Sequence, residues 1–121
     1  MKYMLMFYET PADLAQRDNP DTAPGYWGAW TSYMGAISAS GTMTSGNGLQ
    51  PRELATTVRV KDGKRQVQDG PFADTREHLG GYVILNVDSI DEALEWAARA
   101  PCAATGVEVR PVMPPPPGAP V

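Results

Sequence analysis

The segment from Lys2 to Tyr8 constrains the fold more than any other stretch. Tyr3, Leu5 and Phe7 fall on one face, and Met4, Met6 and Tyr8 on the other. Both faces are apolar, which suits a central strand covered on both sides. The whole chain has 121 residues, enough for one sizeable core and too few for a second. The opening MKYMLMFYET carries one Lys, a short apolar run and then charges. It lacks a small-residue cleavage site and therefore reads as a strand and not as a signal peptide.

The other elements are read from spacing and turn chemistry. Glu9 to Asp21 is polar, contains Pro11 and Pro20, and reads as a loop with at most one helical turn. From Pro24 to Ser40, residues Tyr26, Trp27, Trp30, Tyr33, Met34 and Ile37 draw one helical stripe, with Gly41 as the stop. This stripe reads first as core, with a ligand platform as the alternative. Thr42 to Asn47 is a short strand. Thr56 to Lys61 and Lys64 to Asp69 flank Asp62-Gly63, a strong hairpin signal. Leu79 to Val87 is a further strand. Ser89 and Glu92 have the spacing of a capping box, opening a helix to Ala100 that buries Ile90, Ala93, Leu94 and Ala97. Gly106 to Val112 is the last strand. Residues 1–113 form the predicted domain, and the proline-dominated tail, Pro114 to Val121, is predicted to be extended and mobile.

This order is that of an α+β, ferredoxin-like split βαβ fold, an antiparallel sheet with two helices on one face. The second sheet face then carries Met4, Met6 and Tyr8 or their alternates. An exposed apolar sheet face calls for a partner, so the expected state is a homodimer packed sheet on sheet.

Composition excludes several functions. Fourteen acidic residues against ten basic ones give a net charge of −4, without the basic excess of a nucleic-acid binder. There is no apolar run of membrane-spanning length. One cysteine, Cys102, forms no internal disulfide and fits a reducing cytoplasm. One histidine and one cysteine are too few for a standard structural zinc site. No phosphate-binding glycine loop, nucleophile elbow or paired-histidine motif is present, so no cofactor or metal is expected.

From Asp69 to Gly81 the chain reads Asp-Gly-Pro-Phe-Ala-Asp-Thr-Arg-Glu-His-Leu-Gly-Gly. This closely resembles the signature of the YCII-related, or DGPF-domain, family, often written DGPFAETKE. The blocks Gly48 to Pro51, Ala55 to Arg59, Asp91 to Ala98 and Val107 to Val112 extend the resemblance over nearly the whole chain. The resemblance implies a dimeric α/β-barrel and, for some relatives, an association with extracytoplasmic-function sigma factors. Relatives in the wider group include a dehydrochlorinase acting on a chlorinated hydroxyquinol, associated with a His and Asp pair, the His around the first helix. Here the only histidine is His78, and Asp74 stands where Glu is typical.

The residues themselves nominate two catalytic candidates, Asp69 and His78. Asp69 suits a general base or polar anchor if it is buried, and His78 is nominated because histidine is the side chain suited to acid–base work in the physiological range. The alternatives are a rigid, locally satisfied turn at Asp69-Gly70-Pro71 and a solvated histidine. Tyr8, Arg59, Phe72, Glu108 and Arg110 are the candidate ligand-binding residues. The charged ones among them are expected on the open side of the sheet, where an arginine can hold a carboxylate. Ordinary cross-strand pairing is the alternative. Two functions follow: binding of a small molecule at the sheet and dimer interface with acid–base or lyase-like chemistry, or a non-catalytic regulatory or accessory role.

Overall fold

Strand β1 (Lys2–Glu9) is central, as its two apolar faces predict. A computed structural model describes residues 1–118 of the chain. The main sheet has the order β2-β5-β1-β6, with β2 at Met43–Gly48, β5 at His78–Asn86 and β6 at Val107–Pro111. All its pairings are antiparallel. Helices α1 (Pro11–Asp18) and α2 (Ala23–Ser40) link β1 to β2, and α3 (Ile90–Ala98) links β5 to β6. This is the ferredoxin-like α+β order, with three helices where two were expected. The predicted tail lies partly outside the described residues; residues 112–118 carry no helix or strand.

Alternation along β1 and β5 builds the core. Tyr3, Leu5 and Phe7 meet Val83 and Leu85 on the buried face, and Tyr33 and Ile37 of α2 pack onto them. Ala93 and Ala97 give α3 a small-residue face towards this core. Ile90 and Leu94, predicted buried, are about half exposed, because α3 turns only its alanine stripe and Trp96 inward. Its predicted capping box is also absent: Ser89 makes no side-chain cap bond.

The same capping chemistry forms elsewhere. Thr10 Oγ1 accepts a hydrogen bond from the Asp13 amide at 3.3 Å, and Asp13 Oδ2 accepts one from the Thr10 amide at 2.8 Å. With Pro11 in the first turn, this converts the predicted loop into the two-turn helix α1.

The predicted hairpin forms from β3 (Thr56–Lys61) and β4 (Lys64–Asp69) in the expected register. Its turn residues Asp62 and Gly63 have φ of 52° and 74°, the left-handed pair that a two-residue hairpin turn needs. The hairpin is a separate two-stranded sheet. Arg59 therefore does not lie on the open side of the main sheet. Val58, Val60 and Val67 are 56%, 72% and 57% exposed.

Candidate functional site

The register of the main sheet places four glycines beside one another at the end of the sheet nearest Glu9. Gly46 lies opposite Val83, and Gly48 opposite Gly81, which in turn faces Phe7 across β1. Gly80 is the extra residue where the pairing of β1 with β5 slips between Phe7 and Tyr8. With no side chains over this floor, the first turns of α2 and the short α1 span open space. The result is a cavity of about 680 Å³, within the range of roughly 300–1,000 Å³ usual for small-molecule sites. Aromatic side chains from β1 and α2, Phe7, Tyr26, Trp27 and Trp30, form much of its wall.

Glu9 is its central polar group. It continues the buried face Tyr3, Leu5, Phe7 and is only 8% exposed. A Cβ on Gly80 would overlap the Glu9 carboxylate, so glycine there makes the notch that holds it. Two groups approach the carboxylate loosely. Tyr26 Oη donates to Oε2 at 3.4 Å, and Arg17 Nη1 lies 3.8 Å from Oε1. Burial raises the Glu9 pKa above its ordinary value, with Arg17, Tyr26 and His78 opposing that shift. Burial and the Glu9 charge together push Tyr26 up to about 12. A carboxyl raised by burial and facing an enclosed space is a candidate for taking and returning a proton.

The second carboxylate at the cavity, Asp13, is engaged through one oxygen, Oδ2. It accepts from the Thr10 amide at 2.8 Å, the Thr10 hydroxyl at 3.0 Å and the Thr105 hydroxyl at 3.2 Å. Cys102 also borders the space, and burial pushes its thiol up to about 11. Thiolate, the reactive form, is then scarce at pH 8. Alkylation by iodoacetamide at that pH is expected to be slower in the native protein than in denaturant, on the order of tenfold or more. Equal rates in the two states would contradict this placement of the thiol.

The sequence-chosen residues are spread over three places. Tyr8 borders the cavity, and its hydroxyl donates to Glu108 at 3.4 Å. Glu108 and Arg110 share the exposed face of the edge strand β6, 3.9 Å apart. Arg59 and Phe72 pair on the hairpin side, the guanidinium 4.9 Å from the ring centre; Phe72 is exposed. Asp69 is exposed at the foot of β4, opposite Thr56. The loop it opens is locally tied: the Gly70 amide donates to Ala55 O at 2.7 Å and Thr57 Oγ1 donates to Gly70 O at 2.9 Å. His78 is buried and not solvated, paired in register with Glu9, and neither ring nitrogen has a hydrogen-bond partner among the described residues.

Sequence reasoning missed Glu9, Arg17 and Tyr26 as one site. In the sequence alone Glu9 and Arg17 fall in a polar stretch that reads as loop, and Tyr26 falls in a stripe that reads as core. The available signal was the alternation itself, since an acid that continues a buried stripe needs a reason to be there. Among the described residues no group of three or more His, Cys, Asp or Glu is placed to hold a metal ion. No helix among them is long and apolar enough to cross a membrane.

An antiparallel α+β sheet in ferredoxin-like order, with a cavity between one sheet face and the helices, defines the class. The chain belongs to the YCII-related domain family, whose model matches residues 1–115. Among curated proteins it is similar to an uncharacterized protein of Rhizobium meliloti (strain 1021), 40% identical over 67 residues. That match covers 53% of this chain and 54% of the relative, so the chain spans about half the length of the curated relative it matches.

Proposed function

We propose that this protein binds a small molecule in the cavity beneath α1 and α2, with Glu9 as its polar centre and proton-transferring group. The buried Glu9 carboxyl, opening on a space of about 680 Å³, carries this reading. Tyr8 stands at the rim and His78 behind Glu9. The cavity lies on the helix side of the sheet, so the site needs no partner to form its walls. The test is a thermal-shift screen of small metabolites against the wild type and Glu9→Gln. A ligand at about 100 times its dissociation constant adds roughly 2.7 kcal/mol to the stability of the folded state. The reading requires at least one hit that weakens in Glu9→Gln; a screen in which every hit is indifferent to that substitution refutes it.

A second reading rests on the exposed valines of the hairpin and on the outer sheet face, where Met4, Met6, Tyr82 and Ile84 are only half-buried. We propose a cytoplasmic homodimer packed sheet on sheet as a dimeric α/β-barrel. Arg59, Asp69, Phe72, Glu108 and Arg110 are then surface residues available to partners. A mass near 13.0 kDa by light scattering at micromolar concentration, rather than twice that, would remove the dimer. The accessory role beside an extracytoplasmic-function sigma factor uses the same surface. It predicts capture of the sigma factor that survives Glu9→Gln and is lost on placing aspartate at Val58 and Val67.

A further inference from the structure

The charged groups lining the cavity are Glu9, Asp13 and Arg17, two carboxylates against one guanidinium. Asp13 accepts three hydrogen bonds on Oδ2, from the Thr10 amide and the Thr10 and Thr105 hydroxyls. Glu9 is the under-partnered one, with its nearest donors at 3.4 and 3.8 Å. A buried carboxylate with loose partners is costly unless a close cation completes it. Around it stand the faces and edges of Tyr26, Trp27, Trp30 and Phe7, and aromatic faces attract organic cations. Arg17 already makes both contacts such a ligand would make. Its guanidinium lies 5.6 Å from the centre of the Trp27 ring and 3.8 Å from Glu9. It is carried by α1, a two-turn helix with no buried residue, and its own side chain, 13% exposed, meets the cavity through these two contacts.

We infer that the cavity takes an organic amine, a cation on a flat apolar body, and that Arg17 is an internal stand-in which this ligand displaces from Glu9 and Trp27. The inference rests on the cavity reading above and narrows it to one ligand class. The net charge of −4 favours the approach of a cation.

Three probes of one shape and different charge test it by titration calorimetry at pH 7: tryptamine (cation), tryptophol (neutral) and indole-3-acetate (anion). Tryptamine is expected to bind about tenfold or more tightly than tryptophol, and indole-3-acetate more weakly than either. Glu9→Gln should erase the advantage of tryptamine while leaving tryptophol nearly unchanged. Arg17→Gln, which removes the competing cation, should tighten tryptamine and weaken indole-3-acetate. An arginine that anchors the ligand would give the opposite signs. Tryptophol or indole-3-acetate binding as tightly as tryptamine overturns the amine class and leaves the cavity as a binding site. Tryptamine weakened by Arg17→Gln overturns the stand-in role and with it the inference. No binding by any probe to a protein of native circular dichroism overturns both the inference and the cavity reading.

Discussion

Replacing Tyr33 with alanine is expected to cost about 3–5 kcal/mol, the usual range for deleting a large buried aromatic side chain. Tyr33 is 6% exposed and joins the two sides of the core. Its ring meets Phe7 and Trp30 edge to face, each at 5.9 Å, and Trp96 at 6.3 Å. Its hydroxyl donates to the Trp96 carbonyl at 2.7 Å. The side chain thus ties α2 to β1 and to α3 at once. Tyr33→Phe keeps the ring and removes only that hydrogen bond, so it should cost about 1 kcal/mol. A domain of this size has roughly 5–15 kcal/mol in total, so the alanine variant should lose a large share of its stability. Urea unfolding followed by circular dichroism measures both. A Tyr33→Ala loss no larger than that of Tyr33→Phe would mean that the aromatic cluster contributes little beyond one hydrogen bond.

The parts of the fold that could be read from the sequence are those where burial writes a period into the chain. The alternation of β1, the helix α2 ending at Gly41 and the Asp62-Gly63 turn all appear where periodicity and turn chemistry put them, but of the α2 stripe only Tyr33 and Ile37 are fully in the core and Trp27 is half exposed. Helix α1 was hidden because it buries no residue and so carries no apolar stripe; only its Thr10–Asp13 cap marks it. The reverse error occurred at Ser89, where the residue types of a capping box are present but the bond does not form. The hairpin was legible as a hairpin, yet its detachment from the main sheet was not. Val58, Val60 and Val67 alternate in the same way whether a sheet covers them or not. The candidate site was the least legible part. It is assembled from β1, α1, α2 and the glycines of β2 and β5, and the glycines act through the space they leave. The conspicuous Asp69–Phe72 motif instead closes a local turn beside the hairpin.

Glu9→Gln should change how stability depends on pH, and the sign is fixed by burial. The folded pKa of Glu9 lies above the ordinary value of 4.5 because burial disfavours its charge. Below that value both states hold the proton and the group contributes no difference. As pH rises further, the unfolded chain ionises first, and the native state loses stability until Glu9 ionises there too. Glutamine cannot ionise. It keeps the shape and the hydrogen-bonding capacity toward Tyr26, and it loses only the long ion pair with Arg17. The variant is therefore expected to be at least as stable as the wild type at neutral pH and to show a flatter profile above pH 4.5. Urea midpoints measured from pH 4 to 8 on both proteins give the comparison, and parallel profiles would mean that Glu9 is solvated in the folded state. A gain in stability together with a loss of small-molecule affinity is the pattern of a group retained for function at a cost to the fold. A core acid kept only for packing would lose stability and leave affinity unchanged.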